Sequence, residues 1–133
     1  MAYENVLGIG DQPFTNGGAI TANSFVKLDT TAGRVVACTA IADNPIGVCR
    51  DTGSATAGNE QLRVATIPGT IVKVRYGATI TVGQSLMVKA SGTGEVDVAA
   101  GATAFVVAEA IEAGASGEIC SVILRSPAKS PTL

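Results

Sequence analysis

The sequence contains no histidine and no tryptophan, and only 4% of its residues are aromatic. Without histidine the commonest general base is missing, together with the Ser-His-Asp and Cys-His arrangements and most zinc and copper sites. Charge is scarce as well. Charged residues make up 15% of the chain, against about a quarter in an ordinary soluble domain. A surface so poor in charge points to coverage by partners or by further copies of the chain, although Ala, Gly and Thr can also fill exposed positions. The net charge of −2 excludes the broad basic footprint of a nucleic-acid binder. Long apolar runs are absent too. The longest, "VAAGATAFVVA" (98–108), falls far short of the roughly 20 residues that cross a bilayer. The opening "MAYENVLGIGDQPF" lacks the basic start and apolar block of a secretory signal. Neither a nucleic acid nor a membrane is expected as a partner.

Catalysis has few other sources. Asp43, Asp51, Glu109 and Glu112 are the carboxylates from which a glycosidase-like pair would be drawn, but Asp43 and Asp51 sit in turn-like contexts, where such side chains usually serve the turn itself. "GIGD" (8–11) precedes no strand–helix unit and lacks a third glycine in register, so it is not a phosphate loop. Cys38, Cys49 and Cys120 form no CxxC. An odd count within apolar, β-branched stretches reads as reduced thiols buried as small hydrophobes, and a pair brought together by the fold would still be able to oxidise. The expectation is a protein that is not an enzyme and has no cofactor or metal site.

What is present is β-structure in a single domain, since 133 residues match the usual domain size. Apolar residues at helical spacing are rare, and 16 glycines punctuate the chain. The best helical window is "ATAFVVAEAIEAG" (102–114), yet its "FVVAEAI" also alternates and reads as a strand. "SFVKLD" (24–29) and "RVVACTA" (34–40) form a predicted hairpin, followed by "IGVCR" (46–50). "QLRVATI" (61–67) and "TIVKVRY" (70–76) flank Pro68-Gly69 and predict a second hairpin, with room for a longer loop or bulge because Pro-Gly prefers a type II turn. "LMVKA" and "EVDVA" bracket "SGTG" as a third, and "EICSVILR" (118–125) ends the series. Alternation places Val72, Val74 and Tyr76 on one face and Lys73 and Arg75 on the other. Short strands with Gly-rich turns predict an all-β sandwich or barrel.

The chain also repeats itself. "GGAITANSFVKL" (17–28) is echoed by "GATITVGQSLMVKA" (77–90), "PIGVC" (45–49) by "AFVVAEA" (104–110), and "GNEQLRV" (58–64) by "SGEICSV" (116–122). Elements in one order, offset by about sixty positions, indicate two related β-meander halves, 17–64 and 77–122, within one β-domain of 17–125. Residues 1–16 and 126–133 lack alternation and are predicted as extended N- and C-terminal arms. The first arm carries Tyr3, Leu7, Ile9 and Phe14, apolar anchors suited to a partner's surface. Arg63, Lys73 and Arg75 are predicted on neighbouring strands of one hairpin, as a solvated basic side or as a small face for an acidic protein lattice.

The ordered series "GGAITANSFVKLD", "NPIGVC", "QLRVATIPG", "VKVRYGATITVGQSLMVKA" and "GEV" resembles the small capsid decoration, or cement, proteins of tailed bacteriophages, over roughly residues 17–125. The resemblance implies a structural virion protein, made in the bacterial cytoplasm and carried on the capsid exterior. It would bind the major capsid protein as a homodimer or homotrimer and stabilise the head by bridging neighbouring capsomers. The alternative is a receptor- or carbohydrate-binding β-module of a tail or fibre. Two tyrosines, three phenylalanines and no tryptophan make a poor sugar platform.

Overall fold

A computed structural model describes residues 11–56, 58–100 and 104–129. The described residues form ten strands and no helix: β1 (Asp11–Asn16), β2 (Ser24–Leu28), β3 (Arg34–Ala37), β4 (Gly47–Cys49), β5 (Gln61–Ala65), β6 (Ile71–Arg75), β7 (Ser85–Val88), β8 (Val96–Val98), β9 (Phe105–Ala110) and β10 (Ile119–Lys129). The first five close into a barrel in the order β1-β3-β2-β4-β5. The second five make a sheet in the order β6-β10-β9-β7-β8, whose outer strands meet at one parallel bridge, Tyr76↔Val96. The protein is all-β, as its alternation and turn residues predict.

Ladders of the first sheet recur in the second in the same register. Phe14↔Leu62 matches Val74↔Cys120, Val26↔Ala37 matches Leu86↔Val98, and Cys49↔Val64 matches Ala110↔Val122. Isolated bridges recur as well, Ile20↔Gly53 with Ile80↔Gly114. Inside the first barrel lie Ile20, Val26, Val35, Cys49, Leu62 and Val64. Their counterparts Ile80, Leu86, Val96, Ala110, Cys120 and Val122 fill the second half. Cys49 and Cys120 thus occupy ordinary core slots, and all three thiols are free and buried. Burial pushes the Cys38 thiol up to about 12, which leaves it inert as a nucleophile at neutral pH.

The halves are not two separate cores. Phe25, Cys38, Val48 and Ala65 of the first half join the core cluster of the second. The joint is stitched by the backbone: Phe25 N–H donates to Gly94 O at 2.9 Å, Ser91 N–H to Thr39 O at 2.9 Å, and Arg75 N–H to Asn23 O at 3.0 Å.

Three expectations are corrected. Residues 11–16, predicted as part of an arm, are β1, paired antiparallel with β5 and parallel with β3. Its inward positions are Gln12, Phe14 and Asn16, so the buried face is mostly polar and leaves no apolar alternation to read. At the other end β10 runs on to Lys129, pairing with β9 through Ala128↔Val106 after a register shift between Leu124 and Ala128. Pro127 falls in the shifted stretch, where no ladder amide is demanded. Finally, β5 and β6 do not pair. Closure gives β5 neighbours on both sides, β1 and β4, and β6 pairs with β10 instead. Pro68-Gly69 is therefore a link between sheets.

Candidate interaction surfaces

Asn16 and Tyr76 hold matching positions where each half closes, and both are fully buried. The Asn16 Nδ2 donates to Ser54 O at 3.0 Å and to Glu60 Oε1 at 2.7 Å, while its Oδ1 accepts from Gly18 N–H at 3.1 Å. The Tyr76 hydroxyl donates to Glu112 O at 2.6 Å, and burial raises its pKa to about 12. A glycine faces each plug. A Cβ at Gly53 would lie 2.6 Å from Asn16 Oδ1, and one at Gly114 would lie 2.5 Å from Cys120 Sγ. Asn16 lies at the closure of the first barrel and Tyr76 at the single bridge between the outer strands of the second sheet, and neither is open to a ligand. Tyr76→Phe is expected to cost about 1–2 kcal/mol in a urea titration, because it strands the Glu112 carbonyl. An unchanged midpoint would mean that water replaces the hydroxyl.

The carboxylates considered for catalysis are each engaged elsewhere. Asp43 binds Lys27 Nζ at 2.8 Å and accepts the Thr39 and Ala40 amides. Asp51 binds Arg63 at 2.8 Å, and Glu109 binds Arg125 at 2.8 Å. Glu112 accepts the Ser121 amide at 3.2 Å. No group of three or more potential metal ligands occurs among the described residues. Burial raises the Asp43 pKa, but Lys27 and the two amides outweigh it and hold the group below 3.8; the Arg63 guanidinium holds Asp51 below the same value. Folded values below the unfolded ones give stability that is complete above the ordinary carboxylate range and is lost as pH falls through the folded values. The melting temperature should be level from about pH 7 to 5 and decline below about pH 4. Asp43→Asn should flatten part of that decline, and an identical acid limb would remove Asp43 from its cause.

Of the predicted contact residues, Tyr3, Leu7 and Ile9 lie outside the described residues. Phe14 stands on β1 and not on an arm, half-buried and packed against the first core cluster. Arg63, Lys73 and Arg75 do not share a hairpin. Arg63 stands on β5 beside Asp51, whereas Lys73 and Arg75 stand on β6 of the other sheet. Alternation in β6 is as predicted, with Val72, Val74 and Tyr76 buried and Lys73 exposed.

The structure adds residues that the sequence reading passed over. On the outward face, β10 lays Ile119, Ser121 and Ile123 beside Arg75, Lys73 and Ile71 of β6. Ile71 is 59% exposed and Ile119 44%. Parity held the signal: in "IVKVR" Ile71 shares its face with the two cations, and in "ICSVILR" Ile119 and Ile123 share theirs with Ser121 and Arg125. A separate groove of about 360 Å³ runs between the lead-in to β4 (Pro45, Ile46) and the end of β10 (Leu124, Pro127).

No protein-family model matches the chain, and no curated protein matches it in sequence. Among solved structures it is similar to the head fiber gp8.5 N base of bacteriophage phi29, with a TM-score of 0.69 over 90% of this chain and 98% of that one. At 15% sequence identity, what the two share is the fold.

Proposed function

We propose that the protein is a structural component of a phage virion, binding the outer surface of an icosahedral head and stabilising it by bridging neighbouring capsomers. The observation that carries this reading is a fold shared with the base of a phage head fibre across nearly the whole of both chains. The resemblance of the sequence to capsid cement proteins points the same way, and so does a surface with few charges. The physical basis is multiplicity. A rigid β-body that adds a modest contact energy at each of many equivalent sites raises the cost of opening any one seam. Binding as a dimer or trimer would place one assembly on several capsomers at once.

The test uses heads of the phage that carries this gene, produced without it. Added protein is expected to coat them to a fixed stoichiometry and to raise the temperature at which they release DNA. Heads that neither bind the protein nor gain heat resistance would overturn the proposal.

A further inference from the structure

We infer that the outward face of β6 and β10 is the surface that meets the head, and that its partner there is a carboxylate-bearing protein surface with apolar ground between the charges. This rests on the head-binding reading and names the contact within it. The repeat supplies an internal control. Because ladder Phe14↔Leu62 corresponds to Val74↔Cys120, every outward position of β6 and β10 has a counterpart on β1 and β5. On the first barrel these counterparts are Asp11, Pro13, Thr15, Gln61, Arg63 and Ala65, of which Ala65 is buried against the second half. There the polar groups satisfy one another: Asp11 binds Arg50 at 2.8 Å, Gln61 donates to Thr15 at 2.9 Å, and Arg63 is held by Asp51. On the second sheet the same positions carry, in that order, Ile71, Lys73, Arg75, Ile119, Ser121 and Ile123, so the polar-to-apolar exchange rests on Ile71 and Ile119. None of the four ion pairs among the described residues includes Lys73 or Arg75.

One backbone thus presents a self-satisfied polar face and, in its second use, exposed isoleucines with two cations that no carboxylate among the described residues pairs, Arg75 donating instead to the Ala22 carbonyl at 3.5 Å. Pleating and register are the same in both, so folding alone does not demand the difference. Large exposed apolar side chains ringed by charge mark a contact surface. The charge on that surface selects its partner. A second copy docking by the same face would set Lys73 and Arg75 against cations like themselves, which disfavours a symmetric pair. Nucleic acid or an anionic membrane would suit the cations but not the isoleucines between them, and the chain as a whole is acidic, with a pI near 5.0. An acidic, partly apolar protein surface satisfies both components.

The test compares wild type, Lys73→Glu/Arg75→Glu and the control Arg34→Glu/Gln61→Glu, which adds negative charge to the first barrel, on the same heads. All three are expected to melt alike. Binding by the β6 variant should fall about a hundredfold, while the control should bind within about threefold of wild type. Raising salt from 50 to 300 mM should weaken the wild type and leave the β6 variant's residual binding level. The more conservative Ile71→Ser/Ile119→Ser should lose about tenfold without changing the salt response. If wild type binds and the β6 variant binds equally well, this assignment is overturned and the head-binding reading stands. If wild type does not bind, both fall. Sedimentation showing that wild type self-associates and the β6 variant does not would give the face to a second copy, and would also overturn the assignment.

Discussion

Gly94→Ala is expected to lower the melting temperature by about 15 °C, and the matching change Gly33→Ala by only about 5 °C. The two glycines occupy the same turn of the repeated meander, each just before the second strand of its hairpin, with φ of 99° and 79°. An alanine in either must take a backbone conformation that L residues rarely adopt, which costs about 1–2 kcal/mol. Their surroundings differ. A Cβ at Gly33 would meet nothing within 4 Å, whereas one at Gly94 would lie 2.6 Å from Ser24 Cβ and 2.8 Å from Phe25 O. Backbone and a fully buried side chain cannot step aside at the seam where Phe25 N–H bonds Gly94 O, so a steric cost of about 2–3 kcal/mol is added. The pair separates the price of the turn from that of the joint between halves. Equal shifts in thermal melts of the two variants would mean that the halves are not locked together there.

The same contrast shows what a sequence of this kind discloses. The meanders of both halves are legible because hairpin partners lie close along the chain, and because alternation in stretches such as "TIVKVRY" sorts Val72 and Val74 inward and Lys73 outward. Pairings between distant segments leave no such trace. Nothing local says that β6 will lie beside β10 and not beside β5, since the choice follows from barrel closure using up both edges of β5. The contact face is hidden for the same reason. Ile71 and Ile123 become neighbours only through that ladder. Substitution at matched positions is nonetheless informative once the repeat is aligned. Phe25 and Val48, turned toward the second half and buried, become Ser85 and Glu109, where the same face looks outward and Glu109 pairs with Arg125. Apolar residues stand where a half has a neighbour and polar ones where it has none. Against that rule the exposed isoleucines of β6 and β10 stand out.

Removing residues 1–16 should abolish the fold, whereas a copy beginning at Asp11 keeps every ladder of β1 and should still melt cooperatively. The difference lies in β1. It pairs with β5 at five positions, from Asp11↔Ala65 to Thr15↔Gln61, and meets β3 at Thr15↔Arg34 and Asn16↔Val35. Its loss would open the barrel along both neighbours, uncover Leu62, Val64 and Val35, and take away the Asn16 amide that ties Ser54 and Glu60 to the closure. Exposing three such side chains alone costs about 5–8 kcal/mol, comparable with the whole stability of a domain this size. The two freed strand edges would then pair between molecules. Circular dichroism and sedimentation of the two truncations decide the matter, with aggregation or a featureless melt expected for the shorter one. A soluble, cooperatively folded protein lacking β1 would show that the barrel closes without it. The outcome also governs how an arm is tested on heads. A cut placed at Phe14 severs β1 in its middle, and any binding lost would report unfolding. A chain that starts at Asp11 keeps β1 whole, so that a change in its head binding reports on residues 1–10, Tyr3, Leu7 and Ile9 among them.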